Sequence, residues 1–390
     1  MQWGSRVIKN IYLKKILKRT VFKVITAINY IIPKKDNSIL LYMGNKGIGF
    51  NLEPLYDYLL DNEYNSKYHI TCSVESKKYF GKTHVNVKYV DHIGGIFSYL
   101  ISKHVFYTAG QLPIKPSKKQ IVIHMNHGTT DYKTTGALTK INNGDEFFFT
   151  YMITASEIYV PIVAKEYGCS EENIIICNEP MVERIISPKK KYKFQMYSKT
   201  LLWAPTFRKS DYLGYDDSTM EELVPLFPES YYQELNEVLK KKNIQLIIKL
   251  HPSQTVPKST NTKMSNLKIY SHEDFINEDM NLYDLMGQVD GMIGDYSSVS
   301  LQFLLTEKPI AYVVPDIDEY REKRGFVFEN VYEYMPGKII KNQEDFYDFL
   351  NDFAKGIDSY YEERIRIKNI IHRYQDTNAC NRLLNISGIK

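Results

Sequence analysis

The sequence is short of cysteine, of long apolar runs and, over its first 35 residues, of acid. Four cysteines (Cys72, Cys169, Cys177 and Cys380) are scattered through 390 residues with no C-x-x-C pair. That argues against a disulfide framework and a structural zinc site. A reducing, cytoplasmic compartment is the expectation. No stretch reaches the ~18 consecutive apolar residues of a membrane span. No continuous apolar centre followed by small residues marks a secretory signal. There is no Walker lysine motif, and Gly44-x-x-Gly47-x-Gly49 has neither the spacing nor the acidic partner of a dinucleotide fingerprint. Hydrophobic residues make up 43% and charged residues 25%, near globular averages, so a disordered or fibrous protein is excluded. A chain of this length buries a full core, in two or three domains.

What is present begins with charge. Arg6, Lys9, Lys14, Lys15, Lys18, Arg19, Lys23, Lys34 and Lys35 stand in the acid-free N-terminus, while the net charge of the whole chain is only +4. The body is therefore mildly acidic, which speaks against nucleic-acid binding. Across residues 5–32 the apolar Val7, Ile8, Ile11, Ile16, Leu17, Val21, Phe22, Val24, Ile25 and Ile28 recur at mostly three- and four-residue spacings, between the basic residues. This spacing predicts a basic amphipathic helix. Such a helix suits the headgroup layer of an anionic membrane; the other reading is a helix packed on the body with solvated lysines.

After Pro33 short apolar runs alternate with helical stretches, the pattern of parallel βα units. Strands are expected at Ser38–Met43, Tyr68–Val74, Val85–Val90, His104–Tyr107, Ile121–Met125, Phe147–Ile153 and Ile174–Cys177. The basic, proline-containing Ser187–Lys193 reads as an interdomain linker. The alternation then restarts, with strands at Thr200–Trp203, Ile244–Leu250, Leu267–Tyr270, Gly291–Ile293 and Ile310–Val314. The expected organisation is a membrane-associating segment (1–34), an N-terminal acceptor domain (35–190) and a C-terminal nucleotide domain (191–390). Two open parallel sheets with a short hinge put a ligand site in a cleft, at the carboxyl ends of the strands.

Four groups of residues stand at such strand ends. His127-Gly128-Thr129 follows Ile121–Met125, and a histidine there suits a general base near neutral pH, with His124 the weaker candidate. Thr206-Phe207-Arg208 ends a turn after Trp203, and a guanidinium offers phosphate a planar fork. His251 follows the apolar strand ending in Lys249-Leu250 and precedes Pro252. Asp295-Tyr296-Ser297-Ser298 opens a helix, where backbone amides and serine hydroxyls bind anions. Asp316-x-Asp318 resembles a metal pair, but with Glu319, Arg321 and Glu322 beside it a solvated charged turn is the expected reading. Phosphate- and proton-handling groups in both half-chains favour a nucleotide-linked group transferase.

At these residues the chain resembles the CDP-glycerol glycerophosphotransferases of the teichoic acid (TagB/TagF) type. The segments that carry the likeness are His127-Gly128-Thr129, Ala204-Pro205-Thr206-Phe207-Arg208, Lys249-Leu250-His251-Pro252 and Asp295-Tyr296-Ser297-Ser298-Val299. The last continues through Glu307-Lys308-Pro309-Ile310, Asp316–Arg321 and Arg324-Gly325-Phe326. The resemblance implies an α/β fold of GT-B type, two Rossmann-like domains with the nucleotide in the C-terminal one. It also implies transfer of glycerol phosphate from CDP-glycerol to a hydroxyl of a lipid-linked cell-wall or capsule acceptor at the cytoplasmic face of the membrane, with release of CMP. On this reading His127 and His251 are catalytic, Arg208, Thr206, Asp295, Ser297 and Ser298 bind the donor, and Gly128, Thr129 and Lys133 stand on the acceptor side. No metal site is compelling, with Mg²⁺ on the diphosphate left open. The same residues leave room for CDP-ribitol or a nucleotide sugar as donor, and for a non-catalytic membrane-tethering protein.

Overall fold

The computed structural model describes residues 11–43, 46–108, 112–126, 128, 130–139, 147–194, 197–206, 208–210, 215–220, 222–251, 254 and 264–390. It divides into two compact units: Met1–Thr129 with Ile141–Met181 and Thr377–Lys390, and Thr130–Lys140 with Val182–Asp376.

The first unit opens with helix α1 (Ile11–Ile31) and carries strands β1 (Lys35–Tyr42), β2 (His69–Ser73), β3 (Val87–Val90), β4 (Ser102–Tyr107), β5 (Ile121–His124), β6 (Tyr151–Thr154) and β7 (Ile174–Ile176). All pair in parallel, in the order β3-β2-β1-β4-β5-β6-β7. Helices α2 (Leu52–Asp61), α3 (His92–Ile101) and α4 (Val160–Tyr167) provide crossovers. Strand alternation divides β1 between two cores: Ile39 and Leu41 join Leu55, Cys72, Phe106 and Ile123, while Leu40 and Tyr42 join Tyr99, Tyr107 and Val122 on the other face. Both faces are covered, so the strands read as continuous apolar runs.

The second unit begins with α5 (Glu183–Ile186) and β8 (Lys199–Trp203), followed by the two-residue antiparallel pair β9 (Lys209–Ser210) and β10 (Tyr215–Asp216). Next come α6 (Tyr232–Lys241), β11 (Ile244–Lys249), β12 (Leu267–Tyr270), α7 (His272–Asn277), α8 (Leu282–Gln288), β13 (Gly291–Gly294), α9 (Ser298–Phe303) and β14 (Ile310–Val313). The unit closes with α10 (Ile317–Lys323), β15 (Lys338–Ile340), α11 (Gln343–Lys355) and α12 (Tyr361–Ile371). Its sheet runs β12-β11-β8-β13-β14-β15. Helix α13 (Ala379–Ser387) belongs to the first unit, where Ala379, Cys380, Leu383 and Leu384 fill the core beside Leu55 and Cys72.

The units do not follow the limits of the sequence reading, and residues 1–34 fall within the first unit. The last residues return to the first unit because α13 has an apolar face that only that core covers. The 187–193 stretch is bonded to the second unit: Lys189 N donates to Asp284 Oδ1 (2.8 Å) and Tyr192 N to Gln288 Oε1 (2.9 Å). Residues 130–140 also join the second unit, for reasons given below. The elements that escaped the sequence reading include α5, α7, the pair β9 and β10, β15, α13 and α10. Strand β15 is only three residues long, α13 is short, and α10 occupies the stretch read as a charged turn. Among the described residues no helix is long and apolar enough to cross a membrane.

Candidate active site

In the second unit β8 has β11 and β12 on one side and β13, β14 and β15 on the other. The chain reverses its progress across the sheet between β8 and β13. Loops diverge at such a point, and open parallel sheets hold ligands there. Three of the four groups picked out in the sequence leave the carboxyl ends of β8, β11 and β13, which are adjacent strands.

Arg208 lies at the centre of the first. Its guanidinium is buried and donates through Nη1 to Asp295 Oδ2 (2.8 Å) and to the Thr206 carbonyl (2.9 Å). Nε and Nη2 donate to the two oxygens of Asp316 (2.7 and 3.3 Å). The group sits over the rings of Tyr296 (4.8 Å) and Tyr320 (5.7 Å), and those rings stack at 4.2 Å. Burial opposes the charge, but Asp295 and Asp316 outweigh it, and the guanidinium pKa is raised. Asp295 is equally committed. Oδ2 also accepts from Thr206 N (2.7 Å), and Oδ1 accepts from Thr206 Oγ1 (2.6 Å) and Ser297 N (3.1 Å). Tyr296 donates to Asp316 (2.9 Å), and burial, then Asp316, raises its pKa. Arg208, Thr206 and Asp295, expected from the sequence to contact a donor, are thus spent on one another. They form the frame that shapes the loops after β8 and β13. Asp316 is part of this frame, whereas Asp318 is exposed and pairs with Arg321. The two aspartates therefore do not act together. Among the described residues no cluster of three His, Cys, Asp or Glu is gathered for a metal.

Groups facing outward from this frame are fewer. Ser297 precedes α9, but its side chain makes no capping bond, and Ser297 and Ser298 are both partly exposed. Gly294 lets the turn form: a Cβ there would lie 2.1 Å from Ser300 Oγ, and Ser300 Oγ accepts from Asp295 N (3.3 Å). His251 follows β11 in a turn closed by Gln254, whose N donates to the His251 carbonyl (2.9 Å) and whose Oε1 accepts from His251 N (3.1 Å). Burial, then the positive fields of Lys133, Lys249 and His272, lower the His251 pKa to about 3. Burial brings the Lys249 ammonium down to about 8. A neutral imidazole beside a desolvated lysine is a setting that an anion would relieve.

Lys133 is the surprise. Its segment was expected beside an acceptor, but it pairs with the second unit as an antiparallel bridge to Phe326. Val327 N donates to the Tyr132 carbonyl (2.8 Å), and Thr134 N to the Gly325 carbonyl (3.1 Å). Thr134 Oγ1 donates to the Arg324 carbonyl (2.7 Å), and Tyr132 Oη to the Tyr334 carbonyl (2.7 Å). Gly325 adopts φ +86°, which permits this turn. Neighbouring Asp131 is raised to about 6 by burial, against the pull of Lys133 and Arg324.

In the first unit, His127 and Thr129 lie outside the described residues. The backbone leading to them is held on both sides. Asn51 Nδ2 donates to the carbonyls of Met125 (2.9 Å) and Asn126 (3.2 Å), and Thr108 Oγ1 donates to the Asn126 carbonyl. Asn126 has φ +51°, a left-handed conformation that asparagine tolerates. His124 is buried in a ring cluster with Tyr107 (4.4 Å), Tyr167 and Phe147, a packing role. The sequence reading missed Asn51, read Asp316 as part of a charged turn beside the donor site, and quoted Lys249 only as a neighbour of His251, with no role of its own. For Lys249 the signal was present: a lone charge ending an otherwise uncharged strand.

The profile of the CDP-glycerol:poly(glycerophosphate) glycerophosphotransferases matches residues 24–386. The chain belongs to this family of transferases. A relative, the teichoic acid glycerol-phosphate primase of Bacillus subtilis (strain 168), is 27% identical over 243 residues, 61% of this chain and 57% of that protein. The teichoic acid ribitol-phosphate primase of Bacillus spizizenii (strain ATCC 23059 / NRRL B-14472 / W23) is 27% identical over 207 residues, 50% of this chain and 48% of that protein. The match thus spans about half the length of these two relatives. The teichoic acid ribitol-phosphate polymerase TarK of Staphylococcus aureus (strain NCTC 8325 / PS 47) is 22% identical over 383 residues, 93% of this chain and 71% of that protein. The solved wall teichoic acid polymerase TagF superposes with a TM-score of 0.72 at 17% identity, covering 97% of this chain and 95% of that one. The glycerophosphotransferase-family chain therefore has the GT-B-type α/β fold, with a Rossmann-like sheet in each unit.

Proposed function

We propose that this chain transfers glycerol phosphate from CDP-glycerol to a hydroxyl of a lipid-linked cell-wall polymer, releasing CMP, at the cytoplasmic face of the membrane. The observation that carries the reading is the convergence of the Arg208 frame, His251 and Ser297 on adjacent strand ends, in a chain of this family. In this reading the diphosphate lies against His251, Ser297 and Ser298, with Lys249 and Lys133 adding positive field. Arg208, Asp295 and Thr206 are positioning residues. His127 accepts the acceptor hydroxyl's proton, its oxygen bonds to the phosphorus bearing glycerol, and the bond from that phosphorus to CMP breaks. Gly128 and Thr129 line the acceptor side. Stabilising charge on the transferring phosphoryl group is the largest expected contribution. The basic α1 segment holds the chain at an anionic membrane surface.

The test is release of CMP from CDP-glycerol or CDP-ribitol, and of the nucleoside diphosphate from nucleotide sugars, each with a lipid-linked disaccharide acceptor and product masses measured. Glycerol-phosphate addition supports the reading, and CMP release only with CDP-ribitol moves it to that donor. No release with any donor leaves a membrane-tethering protein. His127→Ala lowers turnover ~10²–10⁴-fold with the fold intact; near wild-type turnover rejects the base. Repeating the assay with EDTA reads any Mg²⁺ requirement.

A further inference from the structure

Helix α1 turns Phe22, Ile25 and Asn29 toward the first unit. Phe22 and Ile25 pack on the core around Tyr99 and Tyr107, and Asn29 Nδ2 donates to the Lys115 carbonyl (3.0 Å) and to Gln120 Oε1 (2.7 Å). One flank of α1, carrying Thr26 and Tyr30, faces the 112–120 loop, where Lys115 N donates to Thr26 Oγ1 (3.2 Å). By helical geometry Val21, Val24, Ile28 and Ile31 line the opposite flank. All four are exposed, Ile31 at 82%. Helix α3 packs against α1. Its Ile96 packs in the same core as Phe22 and Ile25, and its Leu100 carbonyl accepts from Lys34 Nζ (2.6 Å), just beyond the end of α1. The outer residues of α3 are Ile93 and Phe97, exposed at 46% and 66%. Six large apolar side chains from two sequence-distant helices therefore face outward on one side of the unit, and no described element covers them. On the other side of α1 the 112–120 loop carries Lys115, Lys118 and Lys119 and no acid.

We propose that α1 and α3 together form the bilayer-facing surface, with Ile93 and Phe97 entering the headgroup boundary beside Val21, Val24, Ile28 and Ile31. Lys115, Lys118 and Lys119 meet anionic headgroups from the flank. This deepens, and rests on, the membrane-surface reading of α1. The occupant is assigned by charge: an apolar strip bordered by a lysine-rich, acid-free loop matches an anionic bilayer, where lysines near the surface add to apolar burial. A protein partner or a second copy would not need the acid-free lysine loop.

The experiment is co-sedimentation of the full chain with phosphatidylglycerol-containing and pure phosphatidylcholine vesicles. Ile93→Asp/Phe97→Asp and Val24→Asp/Ile28→Asp should each lower partitioning to anionic vesicles by about tenfold or more. Lys115→Gln/Lys118→Gln/Lys119→Gln should remove the preference for phosphatidylglycerol. If the α1 variant is released while Ile93→Asp/Phe97→Asp binds like wild type, α1 acts alone and the composite surface is refuted, though the membrane reading stands. If neither variant changes binding, both are refuted. A change of oligomeric state in the α3 variant, with vesicle binding intact, assigns the patch to a second copy and also refutes the proposal. Phe97→Trp gives a milder check. Its fluorescence should shift to the blue on anionic vesicles and be quenched by brominated lipid, and unchanged emission overturns the proposal.

Discussion

Replacing Arg208 separates a ligand group from a frame residue. The guanidinium is buried and bridges two buried carboxylates, with Asp295 at 2.8 Å and Asp316 at 2.7 and 3.3 Å. A lysine ammonium cannot fork to both. Arg208→Lys gives up about two charge-assisted hydrogen bonds, each worth roughly 1.5–3 kcal/mol. Arg208→Met leaves both carboxylates buried without their cation, a loss on the order of 3–5 kcal/mol or more. Against a total stability of about 5–15 kcal/mol either change is large. Trp203 is buried at the end of β8, directly before this turn, so its fluorescence reports the unit concerned. Guanidinium unfolding of the full chain should show a clearly lower midpoint for Arg208→Lys and a lower one still for Arg208→Met. CDP-glycerol affinity, measured by calorimetry where the variants remain folded, should fall because the 204–208 and 295–297 loops lose their shape. An unchanged midpoint with weakened affinity would refute the frame and return Arg208 to direct phosphate contact.

Two further outcomes follow from the packing. Gly294→Ala sets a Cβ 2.1 Å from Ser300 Oγ and 2.9 Å from Ser300 Cβ, so it should cost about 1–3 kcal/mol and misplace Asp295. Ser300→Ala in the same chain should recover part of the loss, and strict additivity in chemical unfolding speaks against the clash. Burial holds His104 and His372 down to about 4 each, while an unfolded histidine titrates near ~6.5. Their contribution is complete above that value and is lost as pH falls toward 4, by up to ~1.4 kcal/mol per pH unit for each proton. Unfolding midpoints should therefore drop between pH 6.5 and 4, with His372→Gln flattening the trend; equal slopes for both chains contradict it.

Much of this molecule could be read from local pattern. Each strand of the first sheet lies within or beside an apolar run, because burial on both faces demands near-continuous hydrophobicity. The groups at Thr206–Arg208, His251 and Asp295–Ser298 were recognisable as strand-end residues for the same reason. What local pattern could not convey is which polar groups are consumed by their neighbours. Arg208 in sequence is a cation after a turn. Its partners Asp295 and Asp316 lie 87 and 108 residues away, brought close because β8 and β13 are adjacent strands.

The amino-acid order alone determined the alternation of strands and helices, the basic N-terminus and the chemical character of the candidate residues, since these depend on neighbours within a few positions. Only the tertiary structure decided that Lys133 belongs with the second unit and α13 with the first. It also decided that a buried arginine clamps two loops, and that Ile96 of α3 shares a core with Phe22 and Ile25 of α1. Those outcomes depend on strand order and long-range hydrogen bonds, and hydrophobic periodicity carries no information about which distant segment will cover a given face.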